Sequence, residues 1–371
     1  MRMILSYNFC MPKKKTKVFV AMSGGVDSSV AAALLKRDGL AAHGHPEQQR
    51  RVDVVGVYMK CWTANDPLYQ GCTSQDDERS ARLAASHLGI PFYTWNFIKE
   101  YRERVVEYLI DGYKKGITPN PDIMCNKEIK FGLFFEKATK LGADFVATGH
   151  YARMQEGKLL QAVDKNKDQS YFLSFVKPTV LSKVLFPIGN YTKPQVRALA
   201  KKFGLPNAER KESQGICFIG KLDFTDFLKQ HIPLEPGNII DTKGMTLGKH
   251  QGLALYTIGQ RKEIRLSGGP WYVVDKNYKT STLIISKDEA ELGRKEAQVT
   301  SMNWLSDISP EESQAVDVKI RYRSSSVPAS LYKLKTKNYK LVFKQPQRAV
   351  TPGQFAVLYK GEQLLGGGVI E

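Results

Sequence analysis

Two kinds of reactive group stand out along the chain: a corner rich in hydroxyls and glycine near the amino end, and two cysteines far beyond it. The corner reads Ser23-Gly24-Gly25-Val26-Asp27-Ser28-Ser29 and is preceded by Ala21 and Met22. Two glycines let a backbone turn sharply and expose successive N–H groups, and a helix starting there points its positive end into the turn. Such a corner cradles phosphate. It is not a Walker A loop, because no G-x-x-x-x-G-K-[ST] is present and no lysine follows the glycines. Ser23, Ser28 and Ser29 can donate hydroxyls to a pyrophosphate, and Asp27 can orient the loop or help hold Mg²⁺. A plain strand-turn-helix corner is the competing reading.

The five cysteines, Cys10, Cys61, Cys72, Cys125 and Cys217, include no C-x-x-C pair. They indicate neither a zinc knuckle nor a disulfide framework, and in a reducing compartment an important cysteine is a nucleophile or a sulfur carrier. Cys125 lies in Thr118-Pro-Asn-Pro-Asp-Ile-Met-Cys-Asn126. The two prolines stiffen this stretch, so Asn120, Asp122 and Cys125 are presented together before a helix carrying Phe131, Phe134, Phe135 and Ala138. A helix amino end near Cys125 would favour its thiolate, whereas a buried cysteine beside a rigid turn is the alternative. Cys217 closes a charged, glycine-containing segment, Glu209 to Cys217, that reads as mobile. Cys61 and Cys72 read as structural or free thiols.

These groups need a scaffold. Val18 to Met22 reads as a buried strand, and Val30, Ala31, Leu34 and Leu35 give helical spacing after the corner. Further strands are expected at Val52 to Met59, Phe92 to Phe97 and Asp144 to Thr148. Helices are expected at about Asp76 to Leu88 and along the face of Tyr101, Val105, Tyr108, Leu109 and Gly112. This alternation indicates a doubly wound α/β sheet, whose carboxyl edge is where ligands bind. Met59 and Gly149-His150-Tyr151 fall at that edge. Gly149 would let a nucleotide approach the backbone closely. Leu40 to Arg51 reads as a surface loop in which His43 and His45 are inert. Lys167-Asp168-Gln169 reads as a solvated loop, and Thr192 caps a helix of Pro194 to Phe203.

From Asp223 the pattern becomes mainly β. In Val316 to Arg323 the alternation places Val316, Val318, Ile320 and Tyr322 on one face and Asp317, Lys319, Arg321 and Arg323 on the other. Strands at Lys340 to Phe343, Gln354 to Tyr359 and Leu364 to Ile370 would complete a barrel-like sheet. The expected division is residues 12–220, an α/β domain with a doubly wound parallel sheet; 221–293, a small central β domain; and 294–371, a barrel-like β domain.

A chain of 371 residues suits two or three domains. Fifty-five basic against 37 acidic side chains leave a net charge of +18, which implies a polyanionic partner, most simply nucleic acid. No apolar run approaches the roughly 20 residues of a membrane span, and no signal peptide is evident, so a cytosolic protein with no membrane association is expected. Met11 reads as well as Met1 as the start.

SGGVDSS resembles the pyrophosphate loop of the N-type ATP pyrophosphatases, which cleave ATP between the α and β phosphates and leave AMP on a substrate oxygen. With TPNPDIMCN, ATGHY, KDQSYFL and GICFIG coming after it in order, nearly the whole chain resembles the tRNA-specific 2-thiouridylase family, whose members convert the wobble uridine (position 34) of certain tRNAs to 2-thiouridine. The resemblance implies an ATP pyrophosphatase domain followed by two β domains, the last of them tRNA-binding. It implies ATP contacts at Ala21, Met22, Ser23, Gly24, Gly25, Val26, Asp27, Ser28, Met59 and Gly149. It sets the target nucleotide against Asn120, Pro121 and Asp122, with tRNA contacts at His150, Lys167, Asp168, Gln169, Arg321, Tyr322 and Gln354. It makes Cys217 the persulfide carrier and Cys125 its partner thiol, with Asp122 as a candidate proton shuttle. ATP with Mg²⁺, tRNA and a sulfur-donor protein, either a cysteine desulfurase or a relay protein, are the implied cofactors and partners. A metabolite-adenylating ligase and a non-catalytic RNA-binding protein are the competing functions.

Overall fold

The computed structural model describes residues 15–40, 52–63, 74–211, 224–306, 313–336 and 338–371. Cys10, His43, His45, Cys72 and Cys217 therefore lie outside the described residues.

The amino-terminal half is built on a parallel sheet of β1 (Thr16–Ala21), β2 (Val52–Lys60), β3 (Phe92–Asn96), β4 (Phe145–Thr148) and β7 (Val184–Leu185), in the order β3-β2-β1-β4-β7. Strand alternation sends the side chains of β1 to opposite layers. Val18, Val20 and Met22 pack with Ala32 and Leu35 of helix α1 (Val26–Asp38) and with Ala81, Ala84 and Ala85 of helix α2 (Ser74–His87). Phe19 and Ala21 face the other layer, with Tyr101, Val105, Leu109, Ile129 and Phe134. Leu34 and Leu35 are wholly buried, each contributing about 1.5–3 kcal/mol of apolar burial. The doubly wound sheet is thus observed. Its order reverses between β1 and β4, the position where such folds open a ligand crevice at their carboxyl edge.

Two long helical stretches cover the second face. One runs through Ile98–Tyr101, a π-helical stretch Arg102–Val106 and Glu107–Lys114. The other runs through Pro121–Met124, a π-helical stretch Cys125–Phe134 and Phe135–Lys140. π-Helical insertions recur at functional sites.

A hairpin of β5 (Ala152–Gln155) and β6 (Lys158–Gln161) leaves the first domain. After it, β8 (Gly237–Asp241), β9 (Thr246–His250), β10 (Tyr272–Asn277) and β11 (Thr282–Ser286) form a small separate sheet. The carboxyl-terminal strands are β12 (Gly293–Trp304), β13 (Ser313–Lys319), β14 (Val327–Lys333), β15 (Tyr339–Arg348), β16 (Phe355–Lys360) and β17 (Gln363–Ile370). They pair in the order β12-β15-β14-β13-β16-β17, and β12 also pairs with β17, so the six strands close into an antiparallel barrel. Its interior is filled by Val299, Val316, Val318, Leu331, Leu341, Leu358 and Leu365. The β5–β6 hairpin is added to β17, with Gln363 opposite Leu160.

The alternation expected through Val316 to Arg323 holds only as far as Ile320. Strand β13 ends at Lys319, and a turn closed by Ser324 N–H to the Arg321 carbonyl redirects the chain. Tyr322 therefore leaves the barrel interior and packs on Phe172, with ring centroids 4.3 Å apart. Among the described residues no helix is long and apolar enough to cross a membrane.

Candidate active site

The corner between β1 and α1 adopts the conformation that its glycines allow. Gly24 has φ +80°, and a Cβ there would meet the Asp77 carbonyl oxygen at 2.2 Å, so both backbone and space demand glycine. The Gly24 carbonyl is turned outward and accepts from Ser80 Oγ at 2.7 Å, Asn207 Nδ2 at 2.9 Å and an Arg210 guanidinium nitrogen at 3.1 Å. Ser28 Oγ accepts from the Ser23 N–H and donates to the Gly25 carbonyl, both at 3.1 Å. The N-cap of α1 is Gly25, which has no side chain to offer, and the first-turn N–H groups of Val26, Asp27 and Ser28 have no intrahelical acceptor. That arrangement suits an anion.

Asp27 is held from two sides. Lys193 Nζ lies 2.8 Å from both carboxylate oxygens, and the Tyr151 hydroxyl donates to Oδ1 at 3.0 Å. A single carboxylate on the rim of a phosphate cradle, with its side chain still 31% exposed, is a donor set that fits Mg²⁺ shared with phosphate oxygens.

Gly149 directly follows β4. A Cβ there would lie 2.6 Å from Ser28 N and 2.8 Å from the Asp27 carbonyl carbon, so the glycine lets the first turn of α1 rest against the β4 edge. Met59, near the end of β2, is buried with Trp95 as its β3 register partner, and Met22 is buried beneath the loop.

His150 is buried behind this edge. Its Nδ1 is 2.7 Å from Thr148 Oγ1, and Lys130 Nζ is 3.5 Å from Nε2. Burial first, then the Lys130 charge, holds the imidazole well below its usual pKa of 6.5. Phe131 packs on the His150 ring at 5.8 Å, so the helix bearing Cys125 is seated on the same edge as the loop. Cys125 stands five residues before Lys130 on that helix.

The stretch before Cys125 begins its helix earlier than the second proline alone suggests. Asn120 is the N-cap, its Oδ1 accepting from the Ile123 N–H at 3.1 Å, and Pro121 takes the first helical position. Cys125 thus stands one turn inside the helix. Asn120, Pro121 and Asp122 are partly exposed, but Cys125 is wholly buried, so Cys125 is not presented together with Asn120 and Asp122. Next to it Asn126 donates Nδ2 to the Asp122 carbonyl at 3.0 Å, while its buried Oδ1 has no partner among the described residues.

The charged triplet is not a solvated loop at its centre. The Asp168 side chain is only 2% exposed, accepts from the N–H groups of Ala162 and Ser170, and pairs with Lys319 of β13 at 3.3 Å. Gln169 Oε1 accepts from the Tyr151 N–H at 3.0 Å, and Lys167 is partly exposed. Arg321 is half-buried; its Nη2 donates to the Ala349 carbonyl at 2.7 Å, and burial followed by the Arg348 charge lowers its pKa. Gln354 Nε2 donates to the Thr118 carbonyl at 2.8 Å. Asp168, Gln169, Tyr322 and Gln354 therefore join the barrel, or the hairpin beside it, to the first domain.

Residues that sequence reasoning passes over do much of the positioning. Lys193, Asn207 and Arg210 all touch the loop from more than 160 positions away, a distance no local pattern reports. Ser80 carries a weak signal, as a small polar residue on the exposed side of a helix.

Three family models match the chain: a tRNA methyl transferase HUP domain over residues 16–221, a tRNA methyl transferase PRC-barrel domain over residues 225–287 and an aminomethyltransferase beta-barrel domain over residues 294–370. The chain is similar to tRNA-specific 2-thiouridylase MnmA 2 of Geobacillus kaustophilus, at 44% identity over 366 residues, covering 96% of this chain and 95% of that protein. Similarity to tRNA-specific 2-thiouridylase MnmA of Bacillus licheniformis is 45% over 367 residues, with the same two coverages. For the protein of that name from Pseudomonas paraeruginosa it is 43% over 370 residues, again covering 96% and 95%.

Proposed function

The chain belongs to the tRNA-specific 2-thiouridylase family, and from that premise we propose that it replaces the C2 oxygen of a tRNA uridine, the wobble uridine at position 34, by sulfur in an ATP-dependent reaction. The observation that carries this reading is the likeness to those thiouridylases across 96% of the chain. The phosphate-ready corner and the Cys125 helix, seated on one sheet edge, are consistent with it.

Oxygen at C2 of uridine is a very poor leaving group. Its attack on the α phosphorus of ATP forms an O-adenylated base and releases pyrophosphate. The cradle at Ala21 to Ser28 orients the β and γ phosphates, with Met59 and Gly149 as further contacts of the nucleotide site. Mg²⁺ when bound supplies neutralisation of the departing charge, and Asp27 is the carboxylate that would hold it. Sulfur then attacks C2, and AMP leaves with the original oxygen. The sulfur comes from a persulfide on Cys217, either directly, with the terminal sulfur bonding to C2 and a reductant thiol then cleaving its S–S bond to Cys217 to release 2-thiouridine, or after Cys125 attacks the inner sulfur, which frees hydrosulfide and forms a Cys125 to Cys217 disulfide that a reductant reopens. Because Cys125 is buried, the second route requires the start of its helix to be uncovered. Asp122 is the proton shuttle, and Asn120, Pro121 and Asp122 face the splayed uridine. His150, Lys167, Asp168, Gln169, Arg321, Tyr322 and Gln354 complete the tRNA site, the buried ones by shaping it. The units are residues 12–220, 221–293 and 294–371, and a cysteine desulfurase or relay protein of the cytoplasm supplies sulfur.

Incubation with ATP, Mg²⁺, unmodified tRNA and a persulfide donor, followed by mass analysis of nucleosides, tests the reading. It expects 2-thiouridine, and its loss in Cys217→Ser while tRNA-dependent pyrophosphate release continues. Adenylation of a small metabolite without tRNA, or a wild-type protein that binds tRNA, turns over no ATP and is unaffected by Asp27→Asn, would replace it.

A further inference from the structure

The pyrophosphate corner has no lysine within it, yet the fold brings one to its rim. Lys193 is the first residue of the helix Lys193–Lys202, which begins with a capping box between Thr192 and Gln195. Its backbone N–H is fixed by Asp164 Oδ2 at 2.9 Å. This helix packs on α1 through Val196 and Ala200 against Val26, Val30 and Leu34. Two helix starts are thereby brought face to face, and the Lys193 ammonium meets the Asp27 carboxylate symmetrically, 2.8 Å from each oxygen. Its side chain is 12% exposed, and the ammonium also lies 5.9 Å from the centroid of the Tyr151 ring.

Arg210 also touches the corner, but it is already committed, with one nitrogen on the Gly24 carbonyl and another on Asp77. Lys193 is placed differently. It shares the side of α1 where the N–H groups of Val26, Asp27 and Ser28 lack helical acceptors, and the carboxylate it pairs with is the one that Mg²⁺ would claim. Once that carboxylate is shared with a dication, the ammonium beside it is attracted more strongly to a polyphosphate than to Asp27.

We propose that Lys193 is a pyrophosphate-binding residue, pairing with Asp27 in the nucleotide-free protein and turning onto the leaving-group phosphate oxygens when Asp27 gives its charge to Mg²⁺. The proposal rests on the ATP-cleaving function stated above. It makes the lysine absent from the loop sequence a contribution of a distant helix.

Equilibrium binding of Mg-pyrophosphate and of AMP to the full chain tests it, with Lys193→Met, Lys193→Arg, Asp27→Asn and the double variant Asp27→Asn/Lys193→Met. Lys193→Met weakens pyrophosphate binding by about tenfold or more and changes AMP binding by less than about twofold, while Lys193→Arg keeps most of the affinity. Adding Lys193→Met to Asp27→Asn still weakens pyrophosphate binding, although Asp27 then has no charge to hold. This pair of proteins decides the matter if the single variant does not fold, because neither leaves the carboxylate charged and uncompensated. Unchanged pyrophosphate affinity, equal losses for both ligands, or no effect in the Asp27→Asn background would overturn the proposal and leave Lys193 as a prop for Asp27. Wild-type protein that bound neither ligand would instead remove the ATP-cleaving reading itself.

Discussion

Gln354 and Thr118, 236 positions apart, are joined by a 2.8 Å hydrogen bond from the glutamine side-chain amide to the threonine carbonyl. The Thr118 N–H in turn donates to the Pro352 carbonyl at 2.9 Å, so a turn of the barrel grips both sides of the segment that leads to Asn120. Gly353, with φ +87°, sits so close that a Cβ would lie 2.9 Å from Thr118 N. Gln354→Leu should leave the Thr118 carbonyl poorly satisfied, costing about 1–3 kcal/mol of local order. The expected result is a several-fold rise in KM for tRNA with KM for ATP unchanged; a parallel rise in both would disconnect this bond from the RNA site.

Asp168 and Lys319 form a pair in which both side chains are largely withdrawn from water. Removing the cation alone strands a buried carboxylate, which typically costs about 3–5 kcal/mol. Urea unfolding should therefore show a large loss for Lys319→Met and recovery of most of it in Asp168→Asn/Lys319→Met. A double variant as unstable as the single one would mean that the charge pair is not the source of the loss.

Gly149→Ala would drive a methyl group into the backbone of the first turn of α1, at Ser28 N and the Asp27 carbonyl carbon. Backbone cannot swing aside as a side-chain tip can. The expected cost is about 1–3 kcal/mol in stability, together with at least about a tenfold loss of ATP affinity as the cradle shifts. Calorimetric titration of the folded variant with ATP checks this, and wild-type affinity would show that the turn adjusts freely.

His150 links folding to acidity. Its pKa in the folded protein lies well below 6.5 because burial, followed by the Lys130 charge, disfavours the imidazolium. Above 6.5 both folded and unfolded forms are neutral at this residue, and its contribution is fully present. Below 6.5 the unfolded chain binds a proton that the folded one rejects, so stability falls with pH by up to about 1.4 kcal/mol per unit from this group. Unfolding free energies at several pH values between 7.5 and 5 should show a shallower decline for His150→Asn than for wild type. Parallel curves would assign the acid sensitivity elsewhere.

Much of this architecture can be read from local pattern. The β-branched run before Ser23 and the helical spacing after Ser29 mark the corner, because strand and helix periods are properties of neighbouring residues. Alternation likewise marks β13, but it runs on past Lys319 into a turn. A period-2 reading has no means of knowing where pairing stops, and for that reason it puts Tyr322 on the wrong surface. Asp168 looks solvated among Lys165, Asn166 and Lys167, since its buried partner Lys319 is 151 positions away. Gly149 shows that something must come close, without showing that the visitor is α1. For Cys125 the buried alternative describes the observed thiol, while Cys217 lies outside the described residues.

The β5–β6 hairpin departs from the first domain and finishes its hydrogen bonding on β17, where Gln161 N–H also donates to the Glu362 carbonyl and Arg153 and Lys165 pair with the Glu362 carboxylate. Cutting the chain before Gly293 would consequently not release an independent catalytic fragment. It would uncover one side of a hairpin whose open backbone groups invite pairing with other copies, so a shortened protein would clump where the full-length one stays discrete.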